Sequence, residues 1–159
     1  MVRTCSLNNY SDIHFTNKDV AKLIVNYFKP NGICLEPFAG DGAFLSCMPP
    51  NTLWCGISKG KDFLKFEDKV DWIITNPPFE ELTLWMKHVF DVAQHVVFLI
   101  PLSKLFSSAP RMELVRIYGG IKTILYLGSG RKIGFDIGFP FGAIYFQKDY
   151  VGNCEFVYL

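Results

Sequence analysis

The sequence predicts an α/β fold: a mostly parallel sheet, helices on both faces, and an antiparallel strand at the end. Three observations predict it. Short apolar runs alternate with segments of helical period, the pattern of strand–helix–strand units. The runs at residues 70–75 and 95–100 are apolar almost throughout, as strands buried on both faces must be. The last two runs, 121–127 and 143–147, have no clear helix between them, so they form an antiparallel pair.

Taken in order, Thr16-Asn17-Lys18-Asp19 reads as a helix start. Thr16 is the expected cap, with Asp19 near the positive end of the helix dipole. Val20, Leu23, Ile24 and Tyr27 then recur at helical spacing as one apolar face. Pro30-Asn31-Gly32 ends that helix. Residues 33–35 form a short buried strand that runs into Glu36. Residues 43–48 open a helix that Pro49-Pro50 stops, and residues 52–57 form a second strand. After the strand at 70–75 comes a helix over 80–94, with Leu84, Val89 and Val92 expected inside. Pro101 closes the strand at 95–100, residues 111–118 are helical, and a Gly-rich connection over 128–142 joins the last two strands.

Composition narrows the class. The 159 residues are 50% hydrophobic and 16% aromatic, with 19% charged, so the chain buries a core rather than staying disordered. That length fits one domain, 1–159, with no separate substrate-recognition unit. Sixteen Lys and Arg oppose fifteen Asp and Glu, so no global basic field announces nucleic acid. No apolar run approaches the roughly 18 residues that span a bilayer. The polar N-terminus, residues 1–9, does not read as a secretory signal, and a cytoplasmic, membrane-free protein is expected. The five cysteines form no CxxC pair and read as buried reduced thiols. The three histidines share no ligand spacing with them, and no metal is expected.

Two motifs fall at strand carboxyl ends, where ligands bind in such sheets. In Glu36-Pro37-Phe38-Ala39-Gly40-Asp41-Gly42, two glycines let the backbone turn tightly and approach a ligand. Alone, this pattern also fits an ordinary tight turn. In Asn76-Pro77-Pro78-Phe79, two prolines fix an extended backbone and remove two donors. That leaves the Asn76 side chain and nearby carbonyls as preset acceptors beside a flat ring.

In this order and spacing the pair resembles the S-adenosylmethionine-dependent amino-methyltransferases, most of all the DNA N6-adenine methyltransferases. Their cofactor loop reads (D/E/N)-P-F-x-G-x-G and their catalytic loop (D/N/S)-P-P-(Y/F). Phe15-Thr16, Asp62-Phe63-Leu64 and the strands at 71–76 and 97–102 add to the likeness, which covers roughly residues 15–147. It implies a Rossmann-like class I methyltransferase with a mostly parallel seven-stranded sheet and an antiparallel last strand. By resemblance, Phe15, Thr16, Glu36, Pro37, Phe38, Gly40, Gly42, Ser58, Asp62, Phe63 and Asn76 bind the cofactor. Glu36 accepts from its cationic amino group, and Asp62 and Phe63 receive its adenine. Asn76, Pro77, Pro78 and Phe79 form the catalytic loop, with Phe79 stacked on the target base. One departure stands out: Ser58 occupies the place where the family carries a carboxylate for the ribose hydroxyls, and a hydroxyl lacks its two-fold acceptance.

The implied partner is nucleic acid, DNA ahead of RNA. Arg131 and Lys132, in the Gly-rich connection, are the expected substrate contacts. Target choice would fall to so short a connection, to a homodimer, or to a separate specificity partner. Two other readings stay open: a protein-glutamine N-methyltransferase, whose family uses Asn-Pro-Pro-Tyr, and a catalytically silent cofactor-binding subunit.

Overall fold

The computed structural model describes residues 14–159. Cys5 and the polar stretch at 1–9 lie outside the described residues. Seven strands form one sheet: β1 (Cys34–Glu36), β2 (Leu53–Trp54), β3 (Val70–Thr75), β4 (Ala93–Pro101), β5 (Gly119–Ser129), β6 (Pro140–Lys148) and β7 (Glu155–Tyr158). Their spatial order is β2-β1-β3-β4-β6-β5-β7. β6 is antiparallel to both β4 and β5, and every other neighbouring pair is parallel. The expected reversal is therefore β6. β7 follows it in the chain and adds parallel to β5, from Thr123↔Glu155 to Tyr126↔Tyr158. Four residues after a Gly-Asn-Cys turn are too few to show a periodicity, which is why β7 escaped the sequence reading.

Among the described residues, four helices cover the sheet: α1 (Lys18–Phe28), α2 (Leu82–Val92), α3 (Leu102–Phe106) and α4 (Ala109–Tyr118). Tyr145 and Phe146 are consecutive on β6, so they point to opposite faces. Phe28 of α1 meets Tyr145 edge-on, with ring centroids 5.5 Å apart. On the other face Phe90 of α2 contacts Phe146 at 5.4 Å and stacks on Tyr118 of α4 at 4.1 Å. Helices thus lie on both faces. Among the described residues, no helix is long and apolar enough to cross a membrane.

Local structure corrects several expectations. The cap of α1 is Asn17, whose side chain accepts from the Asp19 amide, and not Thr16. Thr16 is drawn away to another partner. The buried face of α1 is Ala21, Ile24 and Val25, while Leu23 and Tyr27 are exposed. The sequence carries two overlapping apolar stripes, and the sheet covers the one that ends in Phe28. Residues 43–48 form successive turns and no helix. Gly42 on one side and Pro49 on the other leave too few residues to offset the cost of nucleation. The hydroxyl of Ser46 and the thiol of Cys47 also bond to the Ala43 carbonyl there. The second strand shrinks to Leu53–Trp54, followed by an isolated bridge between Gly56 and Lys61. In α2, Leu84 is exposed, and Leu82, Trp85, Met86, Val89, Phe90 and Val92 face inward. Cys34 and Cys55 are buried as free thiols, but Cys47 is half-buried and Cys154 exposed.

This topology gathers one edge of the sheet. The carboxyl ends of β1, β3, β4 and β5 and the start of β6 all fall there, since Pro101 pairs with Phe141 and Ser129 with Pro140. The start of α1 reaches the same edge, because His14 and Thr16 contact Asn76 just beyond β3.

Candidate active site

Glu36 ends β1 with only 1% of its surface exposed. Its Oε1 accepts from the Thr75 hydroxyl at 2.5 Å and from the Phe38 amide at 2.9 Å. Neither bond uses Oε2, and no cation among the described residues pairs with the carboxyl. Burial pushes its pKa up to about 7, against the opposing pull of those two hydrogen bonds. A buried carboxyl without a cationic partner is costly when ionised. A ligand ammonium is the partner that would relieve it.

Beyond Glu36 the chain turns through Gly40 at φ +52° and Gly42 at φ +86°. L-residues rarely adopt either value. A Cβ on Gly40 would lie 3.7 Å from the Phe15 ring, and one on Gly42 would meet nothing within 4 Å. Gly42 instead borders a cavity of about 350 Å³, whose walls also include Trp54, Ser58 and Lys59. The expected cofactor residues Gly40, Gly42 and Ser58 therefore share one hollow. Its rim is basic: Lys61 lies 3.7 Å and Lys59 5.4 Å from the Trp54 ring centre. A separate hollow of about 440 Å³, near Lys29 and Pro49-Pro50, shares no residue with it.

Asp62 caps a short 3₁₀ turn, its Oδ1 accepting from the Leu64 amide at 3.0 Å. Phe63 is buried and meets Phe38 at 5.5 Å and His88 at 4.5 Å, both edge-on. Its ring is part of the wall behind the loop rather than a free face for a ligand. His88 Nε2 lies within 3.0 Å of the Phe63 and Phe66 carbonyls. Both are acceptors, so the ring nitrogen carries the proton and holds this turn in place.

At the end of β3, Asn76 donates through Nδ2 to the His14 carbonyl at 2.8 Å and to Thr16 Oγ1 at 3.2 Å. A carbonyl can only accept, which fixes which end of the amide is nitrogen. Asn76 Oδ1 is buried and has no hydrogen-bond partner. The other such atom among the described residues is Trp85 Nε1, on the aromatic wall beside Phe38. Buried polar atoms without partners are rare, since each forgoes its bonds to water. Pro77 is buried, Pro78 exposed, and Phe79 7% exposed. The His14 ring stacks on Phe79 at 5.6 Å and 22°, and Phe141 meets Phe79 edge-on at 6.0 Å.

The connection after β5 is ordered against this site. It turns through a 3₁₀ segment, Gly130–Ile133, and Gly134 lies near the Asn17 side chain. Phe135 stacks on Phe141 at 4.7 Å and meets His14 edge-on at 6.1 Å. Arg131 and Lys132 stand exposed on the turn, with Arg131 folded back towards Gly138. The structure so joins Phe15, Thr16, Glu36, Phe38, Gly40 and Gly42 to Asn76 and Phe79, and leaves Arg131 and Lys132 exposed on the turn after β5. His14, Thr75, Phe135 and Phe141 were not singled out in the sequence. Only Thr75 carried a signal, as the buried polar residue that ends an apolar strand. Among the described residues, no cluster of three or more His, Cys, Asp or Glu could hold a metal.

Known structures share this architecture. The methylation subunit of the type I restriction enzyme EcoKI superposes with a TM-score of 0.64 at 16% identity, over 85% of this chain and 44% of that one. A proposed class I S-adenosylmethionine-dependent methyltransferase from Listeria monocytogenes gives 0.70 at 12% identity, over 96% and 68% of the two chains. A proposed RNA methyltransferase from Pyrococcus horikoshii gives 0.58 at 15% identity, over 82% of each. The chain thus spans less than half the length of the EcoKI subunit. No protein-family model matches it, and no curated protein matches it in sequence. At these identities the likeness is one of fold: the chain has the Rossmann-like fold of the class I S-adenosylmethionine-dependent methyltransferases.

Proposed function

We propose that this chain binds S-adenosylmethionine and transfers its methyl group to the exocyclic amino group of adenine in DNA. The observation that carries the proposal is Asn76 Oδ1, a buried acceptor without a donor at the end of a parallel strand. The residues present fit the cofactor. Glu36 offers its carboxyl to an ammonium, Gly42 leaves open the space a side chain would fill, and the cavity runs on to Ser58. The bound cofactor supplies an already activated methyl group.

The chain's own residues do the rest. Asn76 Oδ1 and the Pro77 carbonyl accept hydrogen bonds from the target amine. These bonds favour a tetrahedral nitrogen with its lone pair localised, and they stabilise the positive charge that develops there. No general base is needed before transfer. A base that stacks on Phe79 displaces the His14 ring, which occupies that face. In duplex DNA the base must first flip out, at a cost of a few kcal/mol. Candidates for sequence choice are Arg131, Lys132 and their loop, a second copy, or a specificity partner. A structural neighbour that belongs to an assembled type I restriction-modification complex favours such a partner.

The proposed RNA methyltransferase among those neighbours, of nearly the same length as this chain, favours RNA as the second reading. Labelled cofactor offered with adenine-containing DNA and RNA separates the two. Asn76→Ala is expected to abolish transfer while S-adenosylmethionine still binds. Near-normal turnover in that variant would overturn the assignment.

A further inference from the structure

We infer that Thr16 is a positioning residue for Asn76: its hydroxyl, with the His14 carbonyl, locks the Asn76 amide so that Oδ1 faces the target amine. The inference rests on the proposed role of Asn76. A free asparagine side chain presents its oxygen or its nitrogen at similar cost, since both ends have nearly the same shape. An amide presenting nitrogen would oppose the target amine, donor against donor. Here the ambiguity is removed. Asn76 Nδ2 has two protons and two acceptors, the His14 carbonyl at 2.8 Å and Thr16 Oγ1 at 3.2 Å. A flipped amide would set its oxygen against the His14 carbonyl, acceptor against acceptor.

Thr16 is suited to this task. It is 7% exposed, one of four buried polar or charged residues described in the chain. Asn17 caps α1, and the Thr16 hydroxyl before it turns to Asn76, 60 residues on. Gly134 packs near Asn17 and Phe135 against His14, so this segment is held from the far side as well. The catalytic geometry is thereby built by three separate parts of the chain.

The test uses two substitutions at Thr16. Val keeps the shape and removes the hydroxyl, whereas Ser keeps the hydroxyl. Thr16→Val is expected to lower kcat about tenfold, the loss that follows from one hydrogen bond's worth of orientation. Its affinity for S-adenosylmethionine should stay within about twofold of the parent, and Thr16→Ser should restore most of kcat. A readout independent of turnover is the Asn76 side-chain amide in a nitrogen–proton NMR spectrum. One of its two proton shifts should move in the Val variant and return in the Ser variant. If Thr16→Val weakens cofactor binding and leaves kcat at saturation unchanged, Thr16 serves the cofactor and the inference falls. It falls equally if Asn76→Ala is inactive while Val and Ser at position 16 behave alike. If Asn76→Ala remains active, the function assigned to Asn76 falls first, and the NMR result alone then decides whether Thr16 holds that amide.

Discussion

Glu36→Gln separates a cost of folding from a contribution to binding. The free carboxyl has its pKa raised from 4.5 to about 7 by burial. Protonation therefore stabilises the native state. The contribution of Glu36 is fully present below pH 4.5 and is lost as pH rises through about 7. A difference of about 2.5 in pKa corresponds to about 3 kcal/mol, of which about 2 kcal/mol falls between roughly pH 5.5 and pH 8. Gln keeps the acceptor that Thr75 and Phe38 use and cannot ionise. The gap in stability between variant and parent should therefore shift by about 2 kcal/mol over that range, in favour of the variant at high pH. In a domain of this size that is roughly 4–8 °C in Tm. Thermal or urea unfolding at the two pH values measures it, and any fixed cost of the amide cancels in the comparison. Groups such as His95 titrate alike in both proteins and cancel too. Parallel pH profiles would refute the buried carboxyl. Calorimetry adds the second arm. The parent's affinity for S-adenosylmethionine should weaken as pH falls below about 7, and the variant should bind poorly at every pH.

Two further substitutions test the scaffold and the pocket. Tyr118→Phe removes the hydroxyl that donates to the Ala93 carbonyl at 3.0 Å between α4 and β4. It should cost about 1–3 kcal/mol in urea unfolding, because a buried carbonyl loses its donor, and an unchanged midpoint would contradict that bond. Ser58→Asp places a carboxylate on the wall of the cavity that Gly42 also lines, where a ribose could offer two hydroxyls. The proposal expects S-adenosylmethionine to bind up to about tenfold tighter by calorimetry, and weaker binding would place the ribose elsewhere.

How far the sequence revealed the site depends on the kind of interaction. The central strands β3 and β4 were legible because burial on both faces makes them apolar almost throughout. Glu36, Gly40, Gly42 and Asn76 were legible as short contiguous motifs. Contacts far apart in the chain were not. Nothing in His14 announces that its ring stacks on Phe79, 65 residues on. Phe135 and Phe141 read as two aromatics in a Gly-rich connection, yet their stack anchors that connection beside Asn76. Thr16 was misread for a related reason. Local pattern favours a hydroxyl as a helix cap, and a tertiary partner outbid the helix. The exposure of Leu23 and Leu84 follows the same rule, since periodicity names a stripe but the sheet decides which stripe it covers.

Two acceptors, the Glu36 carboxyl and Asn76 Oδ1, stand out among the polar groups that folding does not explain, beside the Trp85 Nε1 donor on the aromatic wall. A glutamine would keep the acceptor that Thr75 and Phe38 use and suit the site of Glu36 better for stability, and a side chain without a polar end would spare the fold the orphaned Asn76 Oδ1. Departures of this kind persist at functional sites. These two are joined, since Thr75 donates to Glu36 and directly precedes Asn76. Their shared sign limits what can occupy the site. A phosphate would meet repulsion from the ionised Glu36 and a second acceptor at Asn76, whereas an ammonium and an amine supply donors at both. The exposed cations Lys59 and Lys61 stand instead over Trp54 on the cavity wall, where an anionic group could be held without entering. Such an arrangement suits a ligand that brings cationic and amino groups to these two acceptors.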